Sequence, residues 1–228
     1  MSSDNRKFNL RGLMYILACI VCITALVLYM IYEVIGRTKK DYSDVIIDRE
    51  NGYVESVITN SRGIKIDFNE LRTNNENIYG YIDIPDTDIQ SPVERNDYRA
   101  HTMMYTTSDN SKRFSERNVV VHADGAMYAD LCDYRDEHYA EQHNVMKVSS
   151  LEADMVYKIF AVGYYGGKDI MNSYNFTSFS GLVSYIEDVK EHVIYYDDSV
   201  VLDNTSGIIT LSTYIDGERL LILAVMVE

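Results

Sequence analysis

One histidine of this 228-residue chain occupies a position that suits a general acid or base. His122 ends the short apolar run Asn118–His122 and precedes the turn-like residues Ala, Asp and Gly, so a strand would deliver it to the rim of a domain. Histidine titrates near neutral pH, which suits a general acid or base, although a structural histidine is the simpler interpretation. The other histidines sit among charged or loop-like residues and are expected to be solvated: His101, His138, His143 and His192.

The cysteines offer little further chemistry. Cys19 and Cys22 fall inside an apolar N-terminal segment, so Cys132 is the single cysteine beyond that segment and no disulfide can close there. Asp130 and Asp133 lie close to Cys132 and would disfavour its thiolate. Because no cluster of histidine, cysteine or acidic residues has credible metal-ligand spacing and no glycine-rich loop follows a strand, we predict no metal and no cofactor.

Composition and charge exclude several classes of protein. Hydrophobic residues make up 46% of the chain, with 12 glycines and only 2 prolines, which is typical of a folded domain rather than a low-complexity one. The 35 acidic residues outnumber the 21 basic ones and give a net charge of −14. Since such a chain would repel a phosphate backbone, nucleic acid is not an expected partner.

The N-terminal region predicts a membrane anchor. The segment from Gly12 to Tyr32 has no charged residue and is long enough to cross a bilayer as a helix, so we assign 12–35 to a single transmembrane helix after a cytoplasmic segment 1–11. A cleaved signal peptide is the alternative, but its apolar core is normally only about 7–15 residues long. Basic residues flank the helix equally on both sides, so charge alone does not decide its orientation.

The rest of the chain reads as a polar segment followed by short strands. Residues 36–77 look like a stalk with one or two short helices, and strand-like alternation begins at Ile78. A late helix over 180–193, with Ser180 as its N-cap, would bury four apolar side chains: Leu182, Ile186, Val189 and Val193. Short strands dominate, as in a barrel or sandwich, at 78–84, 87–93, 118–122, 155–165, 207–214 and 219–227.

Taken in order, these segments resemble the class B sortases, membrane-anchored bacterial cysteine transpeptidases, over most of residues 74–228. Residues 77–93 are similar to the family's opening strand pair, N-x-x-x-G-W-I-x-I-x-x-T-x-I-x-x-P-V, and residues 118–131 are similar to its catalytic-histidine segment. Residues 210–213, Thr-Leu-Ser-Thr, match the T-L-x-T that precedes the nucleophile. Arg219 begins a segment that resembles the strand carrying the family's arginine.

The resemblance implies a fold, a location and a mechanism. The fold would be a mainly β, closed eight-stranded barrel over 78–228 with an N-terminal helical extension, outside a Gram-positive cell membrane and with the N-terminus in the cytoplasm. In the family, a thiolate attacks a threonine carbonyl of a sorting signal and passes the acyl group to an amine. By resemblance His122 would protonate the leaving amine, Arg219 would hold the oxyanion or the signal, and Ser212 and Thr213 would lie beside the substrate.

The sequence departs from the family pattern at the nucleophile, because Tyr214 stands where the family has cysteine. Phenols lose their proton only near pH 10, and the tyrosine ring would carry the oxygen several ångströms farther from the backbone than a thiol. Tyrosine in a half-buried strand is also an ordinary packing residue. In addition, only four residues separate Tyr214 from Arg219, and His122 follows Asn118 by four residues where the family has six.

Three interpretations of function follow. The first is a catalytically impaired or inactive sortase homologue that binds a sorting signal, a surface or pilin protein, or an active sortase. The second is a working transpeptidase that uses another nucleophile, such as Ser212 or Cys132. The third is a membrane-tethered structural scaffold.

Overall fold

The computed structural model describes residues 57–97, 104–110, 113–124, 126–166 and 169–227. The expected cytoplasmic segment, the transmembrane helix at 12–35 and the first half of the expected stalk lie outside these residues, as does His101. None of the helices in the described ranges is long and apolar enough to cross a membrane.

The main body is a closed barrel of eight strands. Its strands, and one further strand β9, are β3 (Ile78–Asp83), β4 (Gln90–Arg95), β5 (Met104–Thr106), β6 (Val119–Ala123), β7 (Val145–Ser150), β8 (Asp154–Tyr165), β9 (Val193–Tyr196), β10 (Ile208–Ile215) and β11 (Glu218–Met226). Neighbouring strands pair in the order β11-β10-β6-β5-β4-β3-β7-β8, and β8 pairs with β11 to close the ring. Strand β9 pairs with β8 beyond the end of β7. The predicted mainly β, eight-stranded barrel is thus confirmed.

A small hairpin precedes the barrel, in the segment for which the sequence pattern predicted only short helices. Strands β1 (Val57–Thr59) and β2 (Lys65–Asp67) pair antiparallel. The Asn60 side chain closes the turn between them by accepting hydrogen bonds from the backbone N–H groups of Arg62 and Ile64. Helix α1 (Phe68–Asn74) follows at once, and its N-cap Asp67 accepts a bond from the N–H of Asn69.

Three short helices connect β6 to β7 and β8 to the late helix. They are α2 (Ala126–Leu131), α3 (Glu137–Gln142) and α4 (Ile170–Ser173), and a 3₁₀ helix, Cys132–Arg135, joins α2 to α3. The second predicted strand begins at Gln90 rather than at residue 87 because Thr87 belongs to a turn. Its hydroxyl donates to the carbonyl of Ile84 and accepts from the N–H of Ile89.

Two apolar layers hold the barrel together. The inner layer fills the barrel and includes Val121 of β6, Leu211 of β10 and Ile222 of β11. The outer layer lies under the late helix and includes Val120 and Leu221. Because the central strands bury both of their faces, they read as nearly continuous apolar runs rather than as clean alternation.

The late helix, α5, spans Phe179–Lys190, and its bounds differ from the prediction at both ends. Its N-cap is Ser178, whose hydroxyl accepts from the N–H of Gly181, and not Ser180. The predicted burial of Leu182, Ile186 and Val189 is confirmed. The prediction for Val193 is wrong: this residue opens β9 and is 41% exposed, because the chain leaves the helix after Lys190.

Candidate active site

His122 lies on the outer surface of the barrel, near the carboxyl end of β6. Its neighbours Val121 and Ala123 face the inner layer, so alternation turns the imidazole outward. Two strands flank it: Tyr105 of β5 is its partner on one side and Ser212 of β10 on the other. The ring of Tyr105 packs against the imidazole with 5.2 Å between the ring centroids.

Tyr214 and Arg219 complete this outer face. The two residues are register partners in the hairpin of β10 and β11. The hairpin turns through Asp216 and Gly217, both at positive φ, which is the two-residue Asp-Gly turn that suits antiparallel strands. This tight turn accounts for the four-residue spacing between the tyrosine and the arginine.

Strand register brings His122 and Tyr214 close together. His122 is the partner of Ser212 across parallel strands, and Tyr214 lies two residues farther along β10. Neighbouring strands are about 4.8 Å apart and two residues rise about 6.7 Å, so the two Cα atoms lie about 8 Å apart. Both side chains point outward, as the resemblance requires for a histidine and a nucleophile position that act together.

The Tyr214 hydroxyl is bound by the arginine of the same hairpin. Arg219 donates from Nε to the Tyr214 Oη at 3.1 Å and also donates to it from Nη2. The guanidinium carbon lies 4.9 Å from the centroid of the phenol ring, which is a cation–π contact. Tyr214 remains 51% exposed, so the pair forms an open, polar surface rather than a buried contact.

Burial and charge both favour a neutral imidazole at this site. Burial lowers the pKa of His122 below its ordinary value of 6.5, and the positive charge of Arg219 lowers it further. The carboxylate of Asp124 acts in the opposite direction with a smaller effect. Burial and the same carboxylate raise the pKa of Tyr105, which keeps that phenol protonated. At neutral pH the site therefore presents a neutral imidazole and the protonated phenol of Tyr105 beside the guanidinium of Arg219.

Ser212 and Thr213 are placed differently from each other. Ser212 shares the outer face with Tyr214 but is only 2% exposed, and its hydroxyl has no hydrogen-bond partner among the residues that the structure describes. Thr213 points the other way, and its hydroxyl donates to the carbonyl of Ala123 at 3.0 Å. Thr213 therefore links β10 to β6 rather than facing the surface that carries His122.

Cys132 is not part of this face. It begins the 3₁₀ helix and packs, half-buried, against the inner apolar layer. No group of three or more histidine, cysteine or acidic side chains within the described ranges could hold a metal ion.

Sequence reasoning missed the aromatic residues around the site. Tyr165 of β8 is the register partner of Arg219, and its hydroxyl lies 2.7 Å from that of Tyr174. Tyr174 in turn donates to the carboxylate of Asp188 on α5. The sequence places Tyr165 at the end of a long apolar strand, but nothing in the sequence indicates that β8 pairs with β11.

No family model matches the chain. A curated relative, Sortase B of Listeria monocytogenes, is 25% identical over 177 aligned residues, and the alignment covers 70% of this chain and 72% of the relative. The chain is thus similar in sequence to a sortase B, which agrees with the family that its motifs resemble.

Solved structures show the same fold. A Streptococcus pyogenes class B sortase involved in pilus biogenesis matches with a TM-score of 0.60 at 16% identity, covering 71% of this chain and 98% of that one. A Staphylococcus aureus sortase B–substrate complex matches with a TM-score of 0.59 at 20% identity, covering 71% and 84% of the two chains. This chain is thus similar in sequence to Sortase B of Listeria monocytogenes and similar in fold to the class B sortases.

Proposed function

We propose that this protein is a cell-surface sortase homologue that binds a sorting signal on the outer face of its barrel without cleaving it. The observation that carries the proposal is the position of Tyr214. It lies on the same face as His122 and beside Arg219, where the resemblance puts the nucleophile, and a phenol stands there in place of a thiol.

The chemistry of the site supports binding better than acyl transfer. Covalent catalysis of the sortase kind needs a thiolate, whereas phenols lose their proton only near pH 10. The Tyr214 hydroxyl already accepts two hydrogen bonds from Arg219. Because Cys132, the one cysteine in the described residues, packs against the inner layer, the outer face has no thiol to replace the missing one.

The same face retains groups that can hold an extended peptide. His122 and Tyr105 can each donate or accept a hydrogen bond, and the guanidinium of Arg219 can bind a carbonyl or carboxylate oxygen. One of the structurally similar proteins is a sortase B–substrate complex. We extend this binding to the present chain, with the sorting signal of a surface protein or pilin as the ligand, or an active sortase as a partner.

Location at the membrane belongs to the same proposal. The apolar segment at 12–35 would cross the bilayer once, with residues 1–11 in the cytoplasm and the barrel outside the cell. The barrel would then meet surface proteins as they emerge.

Binding can be measured by fluorescence anisotropy of labelled sorting-signal peptides titrated with the full chain in a non-ionic detergent. We expect saturable binding without peptide cleavage, and at least about tenfold weaker binding for Arg219→Gln, since a hydrogen bond to a charged group contributes about 1.5–3 kcal/mol. Arg117→Gln is the matched control, because Arg117 bonds to the carbonyl of Asn204 and lies before β6, away from this face. If none of the labelled sorting-signal peptides binds, the proposal of signal binding is wrong and the structural-scaffold interpretation is favoured instead.

Ser212 supports a second candidate function, a working transpeptidase with a serine nucleophile. Its hydroxyl has no partner among the described residues, and its backbone position pairs with His122. Its 2% exposure argues against this, because a substrate carbonyl must reach the oxygen. Peptide turnover that is lost in Ser212→Ala and kept in Tyr214→Phe would establish this alternative.

A further inference from the structure

A cavity of about 300 Å³ lies at the end of the barrel opposite His122. It is bordered by the first residue of β3, Ile78, and by the last residues of β4 and β7, Arg95 and Ser150. Strand β6 starts near this end and reaches His122 only at its other end. The cavity is therefore separate from the face that carries Tyr214, and an inference from it does not depend on the proposed function.

Three arginines converge on this cavity although the chain is strongly acidic. Arg72, Arg95 and Arg113 all line it. Arg95 donates from Nη2 to the carbonyl of Ser108 at 2.5 Å, but its Nη1 is buried and has no hydrogen-bond partner among the described residues. An unsatisfied buried donor of a charged group is costly, and an anion bound at the guanidinium from the cavity would offset part of that cost.

Two acidic residues line the cavity, Glu76 and Glu152, and neither forms an ion pair with Arg95 among the described residues. Glu152 pairs with Arg113, with 3.7 Å between the Arg113 Nε and the Glu152 oxygen, and both side chains are largely exposed at the mouth. Glu94 is buried next to Arg95 in sequence, but strand alternation places it on the other face of β4, where the Asn75 side chain bonds to it. Glu76 also lines the cavity and is exposed.

Asn77, Ser115 and Ser150 add polar groups to the wall, and the remaining lining residues form an apolar side that is already in place. The rings of Tyr79 and Phe114 stack with their centroids 4.9 Å apart and 6° between their planes. Phe114 lies over Gly80 so closely that a Cβ on that glycine would meet the ring at 2.4 Å. Leu151 and Met155 extend this wall. Because these aromatic rings are fixed by packing, the cavity does not have to form when a ligand arrives.

We propose that this cavity binds a small oxyanion, a carboxylate or a phosphate monoester, that is attached to an apolar group. The planar guanidinium of Arg95 would bind the anion, with Arg72 and Arg113 nearby, and the apolar group would lie along the stacked rings and Leu151. The two anions share this chemistry, and the experiment separates them.

The test is a ligand-detected NMR titration of the full chain in a non-ionic detergent with benzoate, phenyl phosphate and benzylammonium. We expect one or both anions to bind and the cation not to bind, and the tighter anion identifies the headgroup. Arg95→Gln should weaken binding of that anion at least about tenfold. Glu152→Gln should tighten it about threefold, because it removes a competing carboxylate from the mouth.

Controls distinguish this cavity from the first site and from loss of folding. Arg135→Gln also removes one positive charge, but Arg135 pairs with Asp216 in the distant turn between β10 and β11. This change should alter anion binding by less than about twofold. If Arg95→Gln unfolds the chain, two variants at exposed positions still test the dependence on charge. Arg113→Gln should weaken binding of the anion, and Glu152→Gln should tighten it. Binding of neither anion, equal binding of the cation, or loss of binding in Arg219→Gln but not in Arg95→Gln would overturn the proposal.

Discussion

The contact between Tyr214 and Arg219 defines the chemistry of the outer face at the scale of single residues. Both partners are solvent-accessible, so the hydrogen bonds between them compete with water and contribute little to stability. The contact instead fixes where the guanidinium points. In the proposed complex, the phenol oxygen would compete with a peptide oxygen for these hydrogen bonds.

Removal of the Tyr214 hydroxyl should therefore affect binding more than stability. Tyr214→Phe should lower the free energy of unfolding by less than about 1 kcal/mol, measured by chemical denaturation. In the anisotropy titration it should strengthen peptide binding, because the phenol oxygen no longer competes with the peptide for the two hydrogen bonds from Arg219, while the ring still supports the guanidinium. Weaker binding in this variant would mean that the phenol oxygen itself contacts the peptide.

The lowered pKa of His122 predicts a pH dependence of stability. Its folded-state pKa lies below the ordinary 6.5, so as the pH falls through about 6.5 the unfolded chain takes up a proton before the folded one does. The stability contributed by the neutral imidazole is present above that pH and is lost below it. His122→Gln should lose less stability than the parent between pH 7 and pH 5, measured by urea denaturation; parallel curves for both proteins would contradict this assignment.

At the scale of secondary-structure elements, helix α5 is the outer cover of the barrel. Ile186 is 4% exposed in the outer apolar layer, whereas Val183 on the same helix is 40% exposed. Ile186→Ala should cost about 2–5 kcal/mol of unfolding free energy, while the matched control Val183→Ala should cost less than about 0.5 kcal/mol. Equal losses in thermal denaturation would show that the helix packs through a different face.

The tight turn between β10 and β11 makes a second prediction at this scale. Gly217 has φ +89°, and a Cβ added to it would meet no atom within 4 Å, so Gly217→Ala would bring backbone strain but no clash. We expect a loss of about 1 kcal/mol of unfolding free energy, measured by urea denaturation. Gly166→Ala is the control, because that glycine also faces open space but lies outside the positive-φ region, and it should show no such loss.

At the scale of the whole molecule, the strands with a long run of apolar and polar alternation can be predicted from the sequence. The closure of these strands into a barrel is predicted only by the resemblance to the class B sortases. Strand β7 does alternate, with Met146 and Val148 buried, but the charged residues that flank it obscure the pattern. Strands β5 and β9 have only three and four residues, too few for a period to show. Their pairing partners are distant in sequence, which local patterns do not report.

The candidate site was predictable only in part for the same reason. His122 and Arg219 could be named from motifs, but the contact of Tyr105 with His122 depends on a three-residue strand. The inward orientation of Thr213 depends on the pairing of β10 with β6. Such contacts follow from register between strands rather than from spacing along one of them.

We place Tyr214 at the nucleophile position of a signal-binding face. The decisive experiment is intact-mass spectrometry of the full chain after incubation with sorting-signal peptides. We expect no acyl adduct on the parent, an adduct on Tyr214→Cys, and none when His122→Ala is added to that variant. An adduct on the parent that survives both Tyr214→Phe and Cys132→Ala would show that the nucleophile lies elsewhere and that this placement is wrong.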